Sequence, residues 1–280
     1  MKTGIAIFLL LGLSASAVAQ LPDTIVIYKT IDTVQLRLHV FYPPGHNADD
    51  RHPAIVFFHG GGWVGGAPTQ FYKQCGYLAS RGMVAITASY RLINTHRTTP
   101  KECVKDGKSA IRWIRQHASA LGVVPSRLAA GGGSAGGQVA AAAGTIEGFE
   151  EEGEDRTVSS KPDALVLFNP VIDNGPEGYG YEKVKEYWRD FSPLHNIDEK
   201  TPPAVFFLGT VDRLIPVATG EKFRDLMLQK GRRCDLHLYE NQGHGFFNTK
   251  MFYETLVEAD RFLTSLGYLK GEPTLKKEQQ

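Results

Sequence analysis

In Leu128-Ala-Ala-Gly-Gly-Gly-Ser-Ala-Gly-Gly-Gln-Val-Ala140, a short apolar run passes through glycines into an alanine-rich stretch. The segment reads as strand, sharp turn and helix, with Ser134 at the turn inside Gly132-Gly-Ser-Ala-Gly136. Such a turn strains the backbone of its central residue and exposes its side chain, and it needs glycines on either side where larger groups collide. The bare G-x-S-x-G pattern is moderately specific, and the strand-to-helix context raises its weight. The competing reading is a glycine-rich phosphate cradle. No Lys-Ser or Lys-Thr follows, and no G-x-G-x-x-G sits at the first strand, so nucleotide binding is set aside.

Outward from this turn, strands alternate with helices. Ala54–Phe58, Met83–Thr87, Leu128–Ala130, Ala164–Phe168 and Ala204–Leu208 are short and almost wholly apolar, as suits parallel strands covered on both faces. Residues 24–30 and 34–42 instead alternate with period two and predict an antiparallel start to the sheet; 235–240 is a further alternating strand. Helical stretches are expected at 72–81, 102–120, 135–145, 217–229 and 252–266. No repeat of fixed period and no long linker divides the chain.

Composition agrees with one globular unit: 42% of the 280 residues are hydrophobic and 22% charged, which excludes disorder as the main state. Lys plus Arg number 31 against 30 Asp plus Glu, so the basic surplus of a nucleic-acid binder is missing. Cys75, Cys103 and Cys234 are too few and scattered for a disulfide scaffold or a metal ribbon; one bridge at most is open to them. Residues 1–19 have a short positive start at Lys2, an apolar run from Ile5 to Leu13 and an Ala17-Val18-Ala19 ending. These features read as a secretory signal peptide cut after Ala19. The apolar run falls short of the roughly 20 residues that span a bilayer. A secreted or periplasmic mature domain, 20–280, without stable membrane insertion, is therefore expected.

A serine hydroxyl needs a base within hydrogen-bond reach, oriented in turn by an acid. Of nine histidines, His244 stands out. Gln242-Gly-His-Gly-Phe246 directly follows a strand, and reacting groups collect at the carboxyl ends of strands in open α/β sheets. Asp212 in Gly209-Thr-Val-Asp-Arg213 stands just past another strand, where its bland role is a helix cap. For the oxyanion formed by serine attack, His59-Gly-Gly-Gly-Trp63 offers amides unshielded by side chains, and the amide of Ala135 follows the nucleophile. His59 itself reads as a brace for this loop.

With these residues in place, the sequence resembles an α/β-hydrolase of the esterase/lipase family, with hormone-sensitive-lipase-like and carbohydrate-acetylesterase relatives, over about residues 36–266. The resemblance implies the α/β-hydrolase fold: a mostly parallel sheet with an antiparallel start, helices on both faces and a small cap insertion at about 170–202. It implies Ser134 as nucleophile, Asp212 as acid, His244 as base, and the amides of Gly61, Gly62 and Ala135 as oxyanion hole, with neither cofactor nor metal. Trp63, Tyr187 and Trp188 are candidate substrate contacts. Gly133 stands where many hormone-sensitive-lipase-like members have Asp, and the region before His59 is too short for their large helical cap. Both departures favour relatives with a more open site.

The expected activity is exported hydrolysis of short-chain acyl esters, small-molecule or polysaccharide, with acetyl groups on xylan as the leading substrate. A serine peptidase of the prolyl-oligopeptidase type, a medium-chain lipase and a noncatalytic binding protein are the alternatives. Two segments are expected to lie outside the chemistry. Glu147–Asp155, with six carboxylates in nine residues, reads as a solvated loop, and the charged tail from Lys270 as frayed.

Overall fold

The computed structural model describes residues 21–277. The signal-peptide expectation lies outside these residues. Eight strands, β1 (Thr24–Ile31), β2 (Val34–Phe41), β3 (His52–Phe58), β4 (Val84–Ala88), β5 (Val123–Gly133), β6 (Ala164–Phe168), β7 (Ala204–Gly209) and β8 (Cys234–Tyr239), form one sheet. Their order is β1-β2-β4-β3-β5-β6-β7-β8. β2 pairs antiparallel with both β1 and β4, and every later pairing is parallel. The helices are α1 (Tyr72–Ser80), α2 (Ile93–His96), α3 (Pro100–Gln116), α4 (Ala135–Thr145), α5 (Tyr181–Val184), α6 (Trp188–Phe191), α7 (Val217–Gln229) and α8 (Phe252–Ser265). This is the α/β-hydrolase architecture.

The apolar strands are buried on both faces because their alternate side chains feed two cores. From β3, Ala54, Val56 and Phe58 pack with α3, α4 and α7, while Ile55 and Phe57 pack with α1 and α8. The cysteines are divided by the same sheet: Cys75 lies on the α1 side, Cys103 and Cys234 on the other, and all three are free and buried. The bridge left open by the sequence is therefore absent.

Several bounds differ from expectation: β3 starts two residues early at His52, and α3 stops at Gln116 rather than 120. α3 begins at Pro100 because Thr99 and Glu102 form a capping box, with proline in the first turn where its missing N–H costs nothing. β5 begins at Val123; its exposed Ser126-Arg127 breaks the apolar signal, and pairing with β3 is interrupted between Val123 and Leu128, the partners of His52 and Ala54, a stretch that contains Pro125.

The acidic segment 147–155 is a solvated loop only in part: Glu147, Glu152 and Asp155 are exposed, whereas the other three carboxylates are paired. Glu150 bonds Lys108 at 2.8 Å and Arg112 at 2.5 Å, Glu154 also bonds Arg112, and Glu151 reaches Lys29 at 2.5 Å and Arg91 at 2.9 Å. The segment straps the cationic side of α3, whose Lys108 and Arg112 are fully covered. Burial works against the charges of Arg91, Lys108, Arg112, Glu150 and Glu151. Even so, the cations lower the pKa of Glu150 and hold Glu151 down at about 2, so pairing prevails over desolvation at these carboxylates, whereas at Lys108 burial outweighs Glu150 and lowers the pKa. The tail after Lys270 is likewise tied down: the amides of Thr274 and Leu275 donate to the Tyr77 hydroxyl at 3.1 and 3.3 Å.

Candidate active site

β5 ends at Gly133 and α4 starts at Ala135, which leaves Ser134 between them with φ 54° and ψ −120°. A non-glycine residue held there costs on the order of 1–3 kcal/mol and persists only when its surroundings fix it. The fixing contacts are three. The Ser134 amide donates to the Phe168 carbonyl at 3.0 Å, and its own carbonyl accepts from Gln138 and Val171, both at 3.0 Å. The flanking glycines are obligatory, since a Cβ on Gly132 meets the Gly136 carbonyl at 2.4 Å and one on Gly136 meets the Phe58 carbonyl at 2.1 Å.

Asp212 lies in the turn after β7, and His244 in the loop after β8. Nδ1 of His244 is 2.7 Å from Asp212 Oδ2, and Nε2 is 2.9 Å from Ser134 Oγ. A carboxylate only accepts, so Nδ1 carries the proton and Nε2 is free to take one from serine. The other oxygen of Asp212 accepts the amides of Leu214 at 2.8 Å and Ile215 at 3.0 Å, so this aspartate caps its own turn as well as orienting the imidazole. Burial opposes its ionisation, but His244 and these amides outweigh burial and set its pKa below the usual carboxylate value.

The loop after β3 brings glycine amides beside this array. Gly61 and Gly62 have φ of 123° and 62°, and a Cβ on Gly61 meets the Gly65 carbonyl at 2.1 Å. The Gly60 N–H is spent on Gln70 Oε1 at 2.6 Å, whereas the N–H groups of Gly61, Gly62 and Ala135 have no acceptor among the described residues. A Cβ on Gly60 lies 3.4 Å from the Ser134 Cβ, so the loop runs directly against the nucleophile turn. His59 is buried, donates from Nδ1 to the Gly60 carbonyl at 2.8 Å, and accepts the Tyr90 hydroxyl on its backbone oxygen at 2.5 Å. Burial, only partly opposed by the Gly60 bond, pushes its pKa down to about 4, so near neutral pH it braces the loop as an uncharged ring.

The candidate substrate contacts are corrected in part. Trp63 is fully buried: its Nε1 donates to Gln138 Oε1 at 3.3 Å and its ring packs on Tyr179 and Phe191, so it presents no face to a substrate. Tyr187 and Trp188 are half-buried on the insertion between β6 and β7. Tyr187 packs edge-on to Phe149 and Phe191, and Trp188 to Tyr181 and His195. Two residues that sequence reasoning missed come closer to the chemistry. Asn169, buried at the end of β6, accepts the Gly245 amide at 3.0 Å and has its Nδ2 3.4 Å from His244 Nε2. The Tyr179 hydroxyl stands 3.1 Å from the position of a Cβ on Gly62, over the glycine loop. The signal for Asn169 was its place just past a core strand, shared with Ser134 and Asp212; nothing local marked Tyr179.

The BD-FAE family model matches residues 38–177, half of the chain, and the prolyl oligopeptidase family model matches 161–266. The native structure of Thermogutta terrifontis esterase 2 superposes with a TM-score of 0.85 at 42% identity, covering 89% of this chain and 95% of that one. The chain belongs to the α/β-hydrolase esterase/lipase family. Within this family, the propionate-bound structure of the same esterase has a TM-score of 0.85 at 41% identity, over 89% of this chain and 96% of that chain. The acetylxylan esterase of Xylanibacter ruminicola is 29% identical over 243 residues, 80% of this chain but 47% of that protein. The chain spans about half the length of the curated relatives it matches.

Proposed function

We propose that this α/β-hydrolase is an exported serine carboxylic ester hydrolase acting on short-chain acyl esters, with acetyl groups on polysaccharides such as xylan as the leading substrate. The observation that carries the reading is the continuous Asp212–His244–Ser134 chain of 2.7 and 2.9 Å hydrogen bonds. His244 Nε2 takes the hydroxyl proton as Ser134 Oγ attacks the ester carbonyl. The amides of Gly61, Gly62 and Ala135 donate to the resulting oxyanion, in a role where one donor is commonly worth about 3 kcal/mol. His244 then protonates the departing alcohol, leaving an acyl-serine, and activates the water that hydrolyses it while Asp212 stabilises the charged imidazole.

Structures of the similar esterase with propionate and with butyrate bound support a short acyl group. The Xylanibacter relative supports xylan. The test is hydrolysis of p-nitrophenyl esters of increasing chain length by wild type and Ser134→Ala. The expected result is fast acetate cleavage that falls with chain length and collapses in the variant by on the order of 10⁴-fold or more. Equal inertness of both well-folded proteins would remove the reading. Export is tested by N-terminal sequencing of the mature protein, expected to begin at Gln20.

A second reading, a serine peptidase, rests on the prolyl oligopeptidase match over 161–266. That segment holds Asp212 and His244, which ester and amide hydrolysis need alike. Cleavage of p-nitroanilides beside inactivity on the matching esters would favour it.

A further inference from the structure

At the opposite end of β3 from the glycine loop, three potential ligands converge outside the catalytic array. His46 and Asp50 lie in the loop between β2 and β3, and His52 opens β3. Six residue steps of strand from His52 to Phe58, roughly 20 Å at about 3.3 Å each, separate this cluster from the nucleophile end. One nitrogen of each histidine and one oxygen of Asp50 lie within 4.8 Å of one another.

The hydrogen bonds determine which atoms carry protons. His52 Nδ1 is 3.0 Å from the carbonyl oxygen of Gly82, which only accepts, so Nδ1 is protonated. In the neutral ring Nε2 is then a lone pair, yet it faces Asp50 Oδ2 at 3.1 Å, another acceptor. Two acceptors at that distance attract one another only through a proton or a metal ion between them, and the same Asp50 oxygen already accepts the Asn47 amide at 2.7 Å. His46 distinguishes these cases. Its Nδ1 is buried without a hydrogen-bond partner and lies 3.9 Å from the same Asp50 oxygen, while its ring is stacked on Tyr42 with centroids 4.1 Å apart. A proton on His52 satisfies the His52–Asp50 pair and leaves His46 Nδ1 stranded; a shared cation satisfies all three.

We propose that His46, Asp50 and His52 bind a divalent transition-metal cation of the zinc class, as a site separate from ester hydrolysis. Two imidazoles and a carboxylate suit zinc, whose ligand atoms at about 2.0–2.2 Å from the metal stand roughly 3.4 Å apart in tetrahedral geometry. The 3.1 and 3.9 Å separations from Asp50 bracket that value. The Gly82 carbonyl acts as the outer partner that commonly fixes a ligating histidine's tautomer. The Asp50 side chain is 40% exposed, which gives the ion an entry path and leaves a coordination position for water.

The test is calorimetric titration of zinc chloride into untagged, chelator-dialysed protein, comparing wild type with Asp50→Asn and His52→Gln, with circular-dichroism melts to verify folding. The expected result is one zinc per chain, a higher melting temperature with zinc in wild type, and affinity reduced about tenfold or more in both variants. No zinc binding by wild type, or binding undiminished in either folded variant, overturns the proposal.

Discussion

His59 shows how one side chain links the glycine loop to pH. Its folded pKa of about 4 lies below the ordinary 6.5 because the ring is buried. Above pH 6.5 neither folded nor unfolded chain protonates it, and stability is unaffected. As pH falls from 6.5 towards 4, the unfolded state takes up a proton that the folded state refuses, so this residue removes stability over that window, by roughly 3 kcal/mol in total. Urea unfolding across pH 4–7 is expected to show a shallower acid decline in His59→Asn than in wild type; equal slopes would sink the assignment. Local sequence marked this histidine's role well, as it marked Ser134 by flanking glycines and His244 by its position after a strand. Trp63 misled because the motif puts it beside the glycine amides. What buries its ring are partners far along the chain, Tyr179 and Phe191, with Gln138 taking its N–H, and no local pattern reports that.

At the scale of elements, the instructive case is the acidic strap over α3. Read by itself, a carboxylate run means solvation; read against the cationic side of α3, it means pairing. The cations recur at helical spacing at Lys105, Lys108, Arg112 and Arg115, but which segment covers them depends on tertiary packing that the sequence does not spell out. The capping box at Thr99-Pro-Lys-Glu102 was legible and simply outranked by the hydrophobic periodicity. Glu150 meets both Lys108 and Arg112 and opposes the burial that lowers the Lys108 pKa, so Glu150→Gln leaves two covered cations short of a counter-charge. Breaking such a buried pairing costs about 3 kcal/mol, and a thermal melt is expected to shift downward by roughly 5–10 °C. A shift within a degree would mean that Glu154 and the carbonyls around Lys108 suffice.

For the whole molecule, fold class and layer structure followed from the doubly buried strands, because alternate residues of one apolar run must feed both cores. Strand order did not. The placement of β4 between β2 and β3 is fixed by pairings distant in the chain, as is the meeting of Lys29 with Asp106 and Glu151 across separations of 77 and 122 residues. Another such long-range tie is Gln138, buried in the first turn of α4. Its amide N–H holds the Ser134 carbonyl, its side-chain oxygen takes the Trp63 indole, and its side-chain nitrogen donates to the Phe191 carbonyl at 3.2 Å. Nucleophile turn, glycine loop and insertion are thereby tied to one residue, which restrains the insertion against the core. An enzyme built this way meets its substrate as a finished mould and has nothing for an oil–water interface to open. Its rate on a partly soluble ester is expected to pass through the critical micelle concentration without a jump; a sharp rise there would show that the tie slips.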